Sequence, residues 1–139
     1  MGHSHSWTYN TRLTRAEITD YKVKVDRLIK HGIEHNILKD DSAPDCVMFN
    51  GIDDNAYEDF YVTFSESGYQ WCKTNLKPYD KYVVAALLLI KYTFGDKVEI
   101  KTDGTFLECL AGLDLFHALY TEEQYAKFRD DFNDYNLFI

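Results

Sequence analysis

Pro78-Tyr79-Asp80-Lys81-Tyr82-Val83-Val84-Ala85-Ala86-Leu87-Leu88-Leu89-Ile90-Lys91-Tyr92-Thr93-Phe94-Gly95 is the stretch that decides the fold. From Tyr82 to Ile90 the chain is apolar without a polar break, and Lys81 and Lys91 bracket the run. Pro78 suits a first helical turn and Gly95 a C-terminal cap. A helix that is apolar on every side has to be buried on every side. The run is far shorter than the roughly 20 residues needed to cross a bilayer. It therefore predicts the central helix of a soluble domain, with the other elements packed around it.

The rest of the 139-residue chain is long enough to supply that cover. Ahead of the central run, Thr14 and Glu17 form a capping box, with Leu13 and Ile18 at the staple positions. Ile18, Tyr21, Val25, Leu28 and Ile29 then make one helical face, and Gly32 reads as the stop of a helix over 14–31. Alternation predicts strands near 33–39, 45–50, 59–64 and 97–102. Thr105 and Glu108 open a further helix through Tyr120, with Phe106, Cys109, Leu110, Leu113, Phe116, His117 and Tyr120 expected on its inner side. Thr121 to Gln124 opens a short helix near 122–131. The fold class expected is α+β: one small, mostly antiparallel sheet of three or four strands, packed by three main helices and the short C-terminal one. Residues 1–139 form a single domain in this reading, with an N-terminal arm at 1–12 and a tail at 133–139.

Charge is distributed unevenly. The net charge is −8, which disfavours general binding to nucleic acid or to an anionic membrane. Residues 40–68 hold eight acids and no Lys or Arg, whereas residues 69–102 hold six Lys and three acids. The acids are Asp40, Asp41, Asp45, Asp53, Asp54, Glu58, Asp59 and Glu66, with Tyr57 and Tyr61 among them. A second acidic group comprises Glu122, Glu123, Asp130, Asp131 and Asp134. Tyr occurs eleven times, which serves either a core rim or an aromatic interface. Cys46, Cys72 and Cys109 are widely spaced and form no CxxC pair, as expected for small core residues in a reducing cytosol. No signal peptide is read, so a cytoplasmic protein is expected.

Three local patterns touch on chemistry. Met1-Gly2-His3 could grip Cu(II) or Ni(II) through the amine. Removal of Met1 would break that spacing and leave His3 and His5 as solvated tail residues. His31-Gly-Ile-Glu34-His35 spells the HxxEH of a zinc protease class, but a stop at Gly32 would put the two His on different elements. The loop Asp53 to Asp59 lacks the alternating oxygens and central Gly of an EF-hand. No cofactor and no metal site is expected. Neither P-loop, GxGxxG, GxSxG nor HExxH occurs, which leans away from an enzyme, although catalytic groups can be drawn from distant positions.

Lys77-Pro78-Tyr79-Asp80 before a Val/Ala/Leu helix, followed by Thr102-Asp103-Gly104 after a strand, resembles a loose set of small uncharacterised bacterial and phage proteins. The resemblance spans about residues 12–120. It implies a phage or mobile-element context and carries no activity and no residue roles.

The function expected is that of a small acidic interaction module, a phage-encoded inhibitor of a basic host protein. A dense acidic surface can occupy a Lys/Arg-lined cleft that otherwise receives nucleic-acid phosphates. Its contacts would come from the acids of 40–68 with Tyr57 and Tyr61, and no direct nucleic-acid or membrane binding is expected. One alternative is a binder of a small phosphorylated ligand or nucleotide signal at helix N-termini, through Lys73, Thr74, Lys77, Thr102, Gly104 and Thr105. Another is a structural subunit of a larger assembly.

Overall fold

The computed structural model describes residues 3–65 and 68–125. The fold is α+β, and its elements run β1 (Ser4–Tyr9), α1 (Arg15–Glu34), β2 (Lys39–Asp40), β3 (Val47–Asn50), β4 (Phe60–Val62), β5 (Tyr69–Lys73), α2 (Asp80–Phe94), β6 (Val98–Thr102) and α3 (Phe106–Leu119). Single 3-10 turns lie at Asp53–Asn55 and Gly95–Lys97. Every residue of α2 from Tyr82 to Ile90 is buried, as an all-round apolar helix requires. It is covered by α1, α3 and the sheet that contains β6. Gly95 ends it at φ 57°, a conformation that glycine adopts at no steric cost. Of the three capping boxes expected, at Thr14, Thr105 and Thr121, those of Thr14 with Glu17 and Thr105 with Glu108 are formed. No helix among the described residues is long and apolar enough to cross a membrane.

Two three-stranded antiparallel sheets replace the single sheet expected, ordered β5-β1-β6 and β2-β3-β4. The stretch read as an N-terminal arm carries β1, the middle strand of the first sheet, with Ser6 opposite both Trp71 and Lys101. His3, His5, Trp7 and Tyr9 are buried, whereas Ser4 and Thr8 between them are half-buried and Ser6, in the middle of the sheet, is covered as well. That period of two is the strand signal. β5 escaped detection because Tyr69 and Trp71 point to solvent while the smaller Cys72 is buried, inverting the usual hydrophobic pattern.

The expected strand at 33–39 is overturned, because α1 runs through Gly32 to Glu34. Gly32 is a contact residue: a Cβ there would come within 2.5 Å of Leu38 and 3.0 Å of the Tyr82 ring. The stop lies four residues later, at Asn36, with φ 58°. Asn36 N donates to Ile33 O at 3.0 Å and Ile37 N to Gly32 O at 2.9 Å, the paired bonds of a Schellman motif. Only Lys39–Asp40 of that segment pairs as a strand.

The face of α3 also differs from expectation. Cys109, Gly112, Leu113 and Phe116 are buried, whereas Phe106, Leu110 and His117 are exposed. The helix is apolar nearly all round, so periodicity could not select a side. Gly112 does so by allowing close approach to Val84, whose Cβ would lie 2.4 Å from an added methyl. Helical backbone begins again at 123–125, and the remainder of the short helix expected near 122–131, like the tail at 133–139, lies outside the described residues.

Candidate functional site

The acids of the 40–59 segment are all exposed. Asp40 lies in β2, Asp41 and Asp45 flank the β2–β3 turn, and Asp53 and Asp54 occupy the 3-10 turn. Asp40 Oδ1 accepts from Ser42 N at 3.0 Å, Glu58 Oε1 from Lys73 N at 2.8 Å, and Asp59 Oδ1 from Asn50 Nδ2 at 2.9 Å. Among the described residues, none of these seven carboxylates is in an ion pair. Of the twelve other described acids six are in ion pairs, among them Glu17 with Lys97, Asp26 with Lys30 and Glu122 with Arg27. Glu123 is exposed, and Glu66, Asp130, Asp131 and Asp134 lie outside the described residues.

Four large aromatic residues are exposed beside this acidic segment. Tyr57 and Tyr61 are about half exposed, and Tyr69 and Trp71 expose 61% and 59% of their surface. The Tyr69 and Trp71 rings stack at 5.7 Å, and Lys73 Nζ sits 5.9 Å from the Tyr57 ring centre. β4 and β5 are tied side by side through Glu58 with Lys73 and through Thr63 with Gln70. Tyr61 of β4 and Tyr69 and Trp71 of β5 thus stand on adjoining strands, with Tyr57, Glu58 and Asp59 in the segment that leads into β4.

The two loops expected to hold an anion do converge, and what they enclose is His3. Its carbonyl accepts from Thr74 N at 2.9 Å. Gly104 lies against its ring, with Cε1 only 2.0 Å from where a Cβ would stand. Thr102 Oγ1 accepts from Gly104 N, and Thr105 Oγ1 caps Glu108 N. Thr74 is buried and donates its hydroxyl to Asp80 Oδ1 at 2.5 Å. Lys73 and Lys77 are half-buried at the rim. The Thr74 hydroxyl is therefore engaged with a carboxylate, and those of Thr102 and Thr105 with backbone N–H groups of their own segment.

That carboxylate is the centre of a buried polar node that sequence reasoning missed. Asp80 begins α2, and its side chain meets two imidazoles, His5 of β1 and His3 just ahead of that strand. His5 Nε2 donates to Asp80 Oδ1 at 2.8 Å. His3 Nε2 lies 3.2 Å from Asp80 Oδ2 but is misaligned for a hydrogen bond and has no other partner. The two rings meet edge to face at 4.6 Å. Burial would raise the Asp80 carboxyl, but His3, His5 and Thr74 outweigh it and hold it at about 2. Burial would likewise depress the His3 imidazole, yet the Asp80 charge, with Glu108 and Asp103 further off, raises it above its ordinary value. His3 and His5 are thus not the solvated residues expected. The signal available was the HxH spacing, which places both rings on one face of a strand.

His31 and His35 do share a helix end, since α1 continues past Gly32. Their rings stack at 4.0 Å. His31 Nδ1 shares a hydrogen bond with Tyr82 OH, and His35 Nδ1 donates to His31 O, each at 2.8 Å. His3, His5 and Asp80 form the one metal-compatible group of three among the described residues. The thiols offer little chemistry: all three cysteines are free and buried, and burial pushes Cys72 and Cys109 up to about 12. Comparison with protein-family models, curated proteins and solved structures finds no match to this chain.

Proposed function

We propose that this chain is a protein-interaction module that binds a basic partner through the acidic and aromatic surface of residues 40–73. The observation that carries this is the contrast in pairing: seven exposed carboxylates of the segment have no ion-pair partner among the described residues. Unpaired charge steers association with an oppositely charged surface and is released by salt. Tyr57, Tyr61, Tyr69 and Trp71 supply the amphipathic anchors in which interface energy is usually concentrated. The partner class is a protein with a Lys/Arg-lined, nucleic-acid-binding cleft, and the role is that of a phage-encoded inhibitor acting in the host cytoplasm. The phosphate-binding alternative has less support, because the Thr74 hydroxyl is given to Asp80 and the Thr102 and Thr105 hydroxyls accept from backbone N–H groups of Gly104 and Glu108.

The test is affinity capture from nuclease-treated host lysate at low and at moderate salt. The comparison is between the natural chain and one carrying Asp41→Lys, Asp45→Lys, Asp53→Lys and Asp54→Lys. Among the described residues none of these four carboxylates makes a hydrogen bond that supports the fold, so the variant should remain folded. A stoichiometric basic protein, captured by the natural chain and lost from the variant, is the expected result. Equal capture by both chains would sink the assignment of this surface.

A further inference from the structure

We infer that His3, His5 and Asp80 form a binding site for a divalent first-row transition-metal ion of the zinc class. The three side chains offer two imidazole nitrogens and a carboxylate, a set suited to Zn²⁺, Co²⁺ or Fe²⁺. Their ligand atoms all lie within 4.8 Å of one another. Two of the separations, 2.8 Å from His5 and 3.2 Å from His3 to the carboxylate, are close to the edge of a tetrahedron around such an ion, about 3.3 Å for bonds of roughly 2 Å. His3 is 5% exposed, and its Nε2 lies 3.2 Å from the Asp80 carboxylate without the alignment of a hydrogen bond. A buried polar atom left in that state is costly, and a metal bond removes the cost.

The surroundings are those of a supported site. His5 is carried on backbone paired on each side, opposite Cys72 and Thr102, and the His3 carbonyl just ahead of β1 accepts from Thr74 N. Gly104 fixes the His3 ring from behind, and the Thr74 hydroxyl orients the Asp80 carboxylate, as outer-shell groups do around metal ligands. Asp103 and Glu108 add negative potential at His3. Binding releases the proton that His5 Nε2 now donates to Asp80. The ion would clamp the first sheet to the start of the central helix. Three protein ligands leave a further position for water or an incoming group. This inference is independent of the protein-binding surface.

The test uses the full chain, stripped with a chelator, dialysed against Zn²⁺ or Co²⁺ and assayed for bound metal and thermal midpoint. One ion per chain, a raised midpoint and an intense visible Co²⁺ spectrum are expected. Asp80→Asn should weaken Zn²⁺ binding by more than about 100-fold, beyond the range of an outer-shell change. His3→Gln leaves the strand ladder and the His5–Asp80 bond in place, so it decides the matter should Asp80→Asn not fold. It should weaken binding at least about tenfold. His35→Gln, in the exposed stacked pair, should leave binding unchanged. Absence of uptake by the folded natural chain overturns the site. So does uptake that survives His3→Gln at full affinity or is abolished by His35→Gln.

Discussion

His3 and His5 sit two residues apart on a strand; His31 and His35 sit four apart at the end of a helix. Both spacings bring imidazoles together, at 4.6 Å and 4.0 Å between ring centres. Their environments differ in what completes them. The strand pair is buried and converges on Asp80, which the first turn of α2 delivers from a distant part of the chain. The helix pair is completed by a phenol and its own backbone carbonyl, both neutral, and His35 is exposed. Burial, then the neighbouring His35, lowers the His31 imidazole, whereas the Asp80 charge raises His3. A motif thus becomes a site through a third group and through exclusion of water, and spacing alone supplies neither.

Stability measurements in the presence of a chelator would separate the two pairs. Asp80→Ala removes the charge that both strand imidazoles face, and should cost about 3 kcal/mol in urea unfolding, the scale for removing one member of a buried charged pair. Gly104→Ala would push a methyl into the His3 ring. We expect a loss of about 2 kcal/mol, as for an overpacked core. Equal stability of that variant would show that the His3 ring is free to move. On the other side, Tyr82→Phe deletes one partly buried hydrogen bond to His31 and should cost about 1 kcal/mol. His35→Ala should fall within about 0.5 kcal/mol of the natural chain, and a larger loss would erase the distinction between the pairs.

The pH dependence gives a subtler contrast. Asp80 is held at about 2 against an ordinary 3.8, so its contribution is present above 3.8 and disappears as pH falls through 2. His3 is raised above 6.5, so its contribution is complete below 6.5 and is lost as pH rises through the folded value. The node should therefore stabilise most between about pH 4 and 6.5. The stability difference between the natural chain and Asp80→Asn, followed across pH without metal, should peak in that window. A flat difference would mean that the imidazoles and the carboxylate do not couple.

Much of the scaffold was legible in the chain. The central helix, its Gly95 stop, the buried face of α1, both capping boxes and β6 follow from local apolar period and from side chains that reach their own backbone. The misreadings have local causes too. Gly32 looked like a cap, yet it serves close packing against Leu38 and Tyr82, and Asn36 supplies the left-handed turn. β1 alternates in sequence, but its inward positions begin with two histidines, and polar residues score as surface unless their partners are known. Placement of the acidic segment at the surface was readable from composition, whereas its lack of ion pairs was not.

Sequence by itself determined what must be buried and where helices begin, because those depend on residues within a few positions of one another. Only the tertiary structure decided that residues 4–9 run between β5 and β6, which side of α3 meets α2, and that Asp80 reaches His3 and His5. Those outcomes join positions far apart in the chain, such as Val84 with Gly112, Thr8 with Tyr69 and His5 with Asp80. They depend on chain crossings and on the fit of one surface to another, which no local period encodes.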